Sequence, residues 1–194
     1  MKRRKHATSP GKMAGDLPAV KCELISNIGI VMSKYKIIGS SKKVTESDIQ
    51  RVEKALNIKF PKSLKDFYLM HNGGKMSGEG NIFLDTKKGK TYDVRQFLPI
   101  LYKKKTGDSL LEDSYQLFVV EKKLIPPNFI PFAENCSGFQ YCIDSKTEEV
   151  FFSNFEHMER PKGPMELVTK SITYFINGMV TEDEVEKFDI SRRN

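Results

Sequence analysis

Between Phe129 and Ser153 the chain passes through three short apolar stretches parted by two polar turns, and a segment patterned this way has few ways to fold. Phe129-Ile130-Pro131-Phe132-Ala133 is extended and apolar, and Glu134-Asn135-Cys136-Ser137-Gly138 has the residues of a tight connection. Phe139, Tyr141 and Ile143 then alternate with Gln140, Cys142 and Asp144, the period-two signature of a half-buried strand. Ser145-Lys146-Thr147-Glu148 turns the chain again, into Val150-Phe151-Phe152-Ser153. Connections this short cannot make a parallel crossover, so the strands must pair antiparallel. The pattern predicts a meander.

A sheet of this kind needs a cover, and two helices upstream are suited to supply it. Thr45-Glu46-Ser47-Asp48 is an acidic capping box ahead of Ile49, Val52, Ala55 and Leu56, which form one helical stripe ending near Asn57. Pro61 pre-sets the first turn of a second helix with Leu64, Phe67, Tyr68 and Met70 on its buried face, and Asn72-Gly73-Gly74 stops it. Gly80–Asp85 follows as a short strand, then a turn at Lys87–Lys90 and a segment Arg95–Leu101 expected to pair beside that strand, with Pro99 marking an edge. Lys103–Lys105 with Gly107-Asp108 reads as a solvated turn. Residues 109–123 read as a helix, although Leu110, Tyr115, Leu117, Phe118 and Val119 depart from helical spacing. A closing helix is expected from about Pro164, carrying Met165, Leu167, Val168, Ile172, Phe175 and Ile176 and ending at Asn177-Gly178. Thr181–Glu184 caps one further turn, and the end beyond Phe188 frays. The order predicts an α+β single domain, a central antiparallel sheet flanked by an N-terminal helix pair and a C-terminal helix. Its expected limits are 42–180, with a lead-in at 33–41 and a charged end at 181–194.

Charge is unevenly spread. Of the net +7, residues 1–32 hold +4, from six Lys and Arg against Asp16 and Glu23. This segment reads as a basic, disordered extension, able to touch nucleic acid only as a solvated tail does. Asp16, Lys21 and Glu23 interrupt any secretory core, and no apolar run is long enough to span a bilayer. Cys22, Cys136 and Cys142 show no CxxC pair, which fits free thiols in a reducing cytoplasm.

No arrangement in the sequence argues for catalysis. His6, His71 and His157 stand apart without metal-ligand spacing, and His71 falls at a helix end where a structural role suffices. Gly73–Gly80 is glycine-rich with Lys75 and Ser77, yet lacks the order of a phosphate loop and follows a helix instead of a strand. The acidic pairs Glu112-Asp113 and Glu148-Glu149 fall at helix starts or turns. The expectation is no enzyme, no cofactor and no metal.

The order of these segments resembles the SUKH superfamily, which includes fungal cell-wall assembly regulators and bacterial immunity proteins. The likeness rests on the Thr45-Glu46 helix start, Leu56-Asn57-Ile58-Lys59-Phe60-Pro61 with Leu64, Phe67 and Tyr68, Asn72-Gly73-Gly74, and the run from Phe129 through Ser137-Gly138-Phe139 to Val150-Phe151-Phe152, with Phe175-Ile176 in the closing helix. It covers roughly Lys42 to Gly178. The chain departs from the family in having Phe139 where a second glycine is frequent, and no tryptophan. The resemblance implies a cytoplasmic immunity protein, monomer or weak dimer, that covers the active site of a toxin, such as a nuclease. The alternatives are a general protein-interaction or regulatory module, and nucleic-acid contact through the basic tail. Candidate contact residues are Lys75 and Glu79 in the loop to Asn81, Asn135 and Phe139 at one turn, and Glu148, Glu149 and Glu156 as an acidic patch.

Overall fold

The computed structural model describes residues 34–103, 109–157 and 163–193. The basic extension, with His6 and Cys22, and most of the Lys103–Asp108 turn lie outside the described residues. The chain partitions into Met1–Ile30 and Val31–Asn194, and all that follows concerns the second unit.

Helix α1 (Glu46–Leu56) begins as its residues dictate. The Asp48 amide donates to Thr45 Oγ1 at 3.3 Å, and the Thr45 amide donates back to Asp48 Oδ2 at 3.0 Å. Asn57 ends it in the left-handed region at φ 53°. Ile49 and Val52 are buried as expected, but Ala55 faces solvent and Glu53 takes the inward place. Glu53 is buried because it has work there: it accepts from the Phe60 amide at 2.7 Å and from Lys65 at 3.0 Å, fixing the link to α2 (Lys62–Met70). Leu64, Phe67 and Tyr68 form the buried face of α2, whereas Met70 is 65% exposed because it lies off that stripe.

After α2 the chain makes β2 (Lys75–Met76), which pairs with β1 (Ile37–Ile38) from ahead of α1, and then β3 (Ile82–Asp85) with β4 (Lys90–Asp93), both pairs antiparallel. Here the expectation needs correction. The partner of β3 is the polar strand after the lysine turn, while β5 (Gln96–Phe97), taken from the Arg95–Leu101 segment, pairs with β6 (Phe129–Glu134). Only Tyr92 of β4 is buried, which left no alternation to read.

The five-stranded sheet runs β5-β6-β7-β8-β9, with β7 at Gln140–Asp144, β8 at Val150–Ser153 and β9 at Met165–Thr169. The meander is as predicted and wholly antiparallel. Strand β7 is central and buried on both faces from Gln140 to Ile143, not on one. The helix expected from Pro164 is replaced by β9 and the shorter α4 (Ile172–Asn177). β8 leaves an edge of backbone donors and acceptors that β9 satisfies, and Ser171 Oγ accepts from the Tyr174 amide at 3.3 Å, so the helix starts only there. Beyond α4, β10 (Met179–Val180) pairs with β3, and α5 (Glu182–Arg193) is three turns long where one was expected.

A network of rings stands in for tryptophan at the core. Phe175 of α4 lies 5.2 Å from Phe83, 5.8 Å from Phe132 and 5.0 Å from Tyr141 between ring centres, and Phe97 links Phe132 to Phe67 of α2. One face of the sheet is thus tied to α2, α4 and β3.

Candidate protein-docking site

The contact residues expected from the sequence do not converge. β7 separates the 135–139 connection from the 145–149 turn, which places them at opposite ends of the strand, about 17 Å apart at its usual rise. Asn135 is buried, and its Oδ1 accepts from the amides of Ser137 and Phe139, both at 2.9 Å; its side chain builds the turn and is not available to a partner. Phe139 is half-buried, edge-to-face with Phe152 and Phe155. Glu148, at φ 61°, accepts from the Ser63 amide at 3.2 Å, supplying the cap that Pro61 cannot give α2. Glu149 Oε2 accepts from Thr147 Oγ1 at 3.1 Å. Lys75, on β2 opposite Ile38, Glu79 in the following turn and Glu156 in the turn Phe155–His157 are exposed.

A better-formed concavity lies elsewhere. Helix α3 (Leu111–Tyr115) continues as a wider π-helical turn, Gln116–Glu121, in which the Lys122 amide donates to the Leu117 carbonyl at 2.9 Å. The widening puts Leu111, Tyr115 and Val119 inward at four-residue intervals and leaves Val120 47% exposed. Lys123 closes the helix at φ 54°, and the amides of Leu124 and Ile125 both donate to the Phe118 carbonyl. Tyr115 Oη donates to the Pro127 carbonyl at 3.1 Å, which fixes the proline segment against the helix. Leu56 at the end of α1, Val119, Val120, Leu124, Pro127 and Met165 of β9 line a groove of about 740 Å³ in which Lys123 is the sole charged side chain among the described residues. In the sequence its only trace was the failure of residues 109–123 to keep helical spacing.

A smaller depression of about 360 Å³ lies between α1 and α2, but the cations on its rim are engaged: Lys62 meets Asp66 at 2.5 Å and Lys65 meets Glu53. The buried titratable groups serve the fold. Burial raises the Glu112 carboxyl, whose Oε1 accepts from the Leu101 amide at 2.9 Å, and burial lowers His71, whose ring rests against Phe67. Burial also pushes the Cys142 thiol up, and burial with Asp93 does the same at Cys136, so neither is a thiolate at neutral pH. Among the described residues no three His, Cys, Asp or Glu side chains are grouped to hold a metal, and no helix is long and apolar enough to cross a membrane.

Residues 43–178, from the residue before Val44 to the glycine that closes α4, match the SMI1 / KNR4 family (SUKH-1). No curated protein matches the chain.

Proposed function

Because the chain belongs to the SMI1 / KNR4 family (SUKH-1), we propose that it is a non-catalytic binding domain of the cytoplasm that neutralises a toxin by docking on it. The observation that carries this reading is the family match over the whole span from α1 to α4. The physical form of the domain supports it. A sheet whose central strand is buried on both faces and locked by rings is a rigid platform, and rigid platforms lose little on binding. The chain acts as a monomer or weak dimer, and a few apolar anchors supply affinity while charged neighbours set orientation and association rate.

The test is neutralisation. Candidate toxin domains are expressed in a bacterial host with and without the chain. Restored growth, together with a complex that co-elutes, is the expected result. Growth arrest despite abundant folded chain overturns the reading, and capture of other host proteins in its place points to a general interaction module.

A further inference from the structure

We infer that the groove between the end of α1, the π-helical turn and β9 receives an apolar peptide segment bearing a carboxylate, contributed by the protein partner. This rests on the proposed binding role and adds to it the place of contact and the chemistry of what enters. The groove's volume of about 740 Å³ lies in the range of well-formed ligand sites. Small-molecule sites fix orientation with a few convergent polar groups; here the described lining is mainly aliphatic and proline, and its polar side chains are Asn57, Lys123 and Tyr115, whose hydroxyl already donates to the Pro127 carbonyl. That is the composition of a surface that reads side-chain bulk along a peptide.

Charge selects among peptides. Lys123 is the cation of the lining, and the adjoining Lys122, 5.7 Å from the Phe118 ring and outside the lining, adds a second positive charge to the same turn. A segment carrying Asp or Glu beside its apolar residues complements them, and a basic segment is repelled. The walls are also prearranged. The Tyr115 bond to Pro127, the left-handed close at Lys123 and the fixed φ of Pro126, Pro127 and Pro164 hold the groove open without a partner. Val120 gives the binding event its hydrophobic gain, since it now faces water at 47% exposure.

A displayed library of random peptides, selected on the full chain and counter-selected on Val120→Arg, tests this. Both Val120 and Lys123 are exposed, and circular dichroism of each variant confirms that the fold survives. Selected peptides are expected to combine Leu, Ile, Phe or Met with an acidic residue. In fluorescence anisotropy Val120→Arg should weaken them by about tenfold or more. Lys123→Glu should weaken the acidic ones by roughly three- to tenfold, with the larger loss at low salt. No enrichment over the counter-selection, enrichment of basic peptides, or unchanged affinity in Val120→Arg overturns the inference. So does a dimer in sedimentation that Val120→Arg dissociates, which would make a second copy the occupant. A Val120→Arg chain that still rescues cells from the toxin removes the groove and leaves neutralisation standing. Peptide binding without rescue does the reverse.

Discussion

Asn72 is 2% exposed, and its whole amide is engaged: Oδ1 accepts from the Ile100 amide at 2.8 Å, while Nδ2 donates to the carbonyls of Lys42 at 2.8 Å and Ile100 at 3.0 Å. Local reading made it the first of three residues tolerant of positive φ. In the fold that tolerance belongs to Gly73 and Gly74, at φ 69° and 117°, and Asn72 joins the lead-in, the end of α2 and the strand-end segment at Ile100. Partners about thirty residues away cannot be read from a helix stop. Asn72→Ala leaves the Ile100 amide unsatisfied and should cost about 1–3 kcal/mol in urea denaturation. Asn72→Asp should cost more, because a carboxylate would face two carbonyl oxygens; equal losses would contradict this account. Gly73 is constrained independently, since a Cβ there would stand 2.7 Å from the Pro99 nitrogen.

At the scale of elements, what was legible is what local chemistry decides. α1 and α2 follow from a capping box, a proline and a stripe; β6, β7 and β8 follow from their turns. What escaped depends on neighbours. Met165, Leu167, Val168 and Ile172 fit a helical period by coincidence, and only the open edge of β8 makes the first three a strand. The groove escaped because three separated segments build it. Glu148 escaped in the same way: a turn carboxylate reads as solvated, and the approach of α2 turns it into a cap. Glu148→Ala should therefore lower stability by about 1 kcal/mol, with Glu148→Gln intermediate. A stability equal to the original would free Glu148 for the partner-binding role expected from the sequence. α4 is too short to persist alone and is held by the buried side chains of Ile172 and Phe175. Phe175→Ala, fully buried among Phe83, Phe132 and Tyr141, should cost about 3–5 kcal/mol in the same measurement. Phe151→Ala, at a half-buried site, should cost clearly less, and a reversed order would misplace the core.

Seen as a whole molecule, the chain carries two described segments outside the family span, the lead-in before residue 43 and everything after Gly178, and they meet at one carboxylate. Glu184, in the first turn of α5, accepts from Lys34, from Tyr35 Oη at 2.6 Å and from the Thr181 amide at 3.0 Å. The Tyr35 ring in turn covers Gly80, where a Cβ would stand 2.4 Å from its carbons, and β10 fastens the start of α5 to β3. Closing the two ends on each other thus rests on Glu184 being ionised. Lys34 first, then Tyr35 and the Thr181 amide, pull its pKa from 4.5 to about 2. A depressed carboxyl pKa stabilises the folded state above the unfolded value, and that stability is lost as pH falls from roughly 4.5 towards 2. The pair is partly exposed, so the effect is screened to about 1 kcal/mol or less, a melting shift of roughly 2–4 °C. Glu184→Gln should melt lower than the original chain at neutral pH, the gap closing across that acid window and narrowing with salt. Glu186→Gln, exposed on the same helix, should show no such closing gap. If the Glu184→Gln difference instead stays constant down to about pH 2, the ends are held by apolar packing and the carboxylate is incidental.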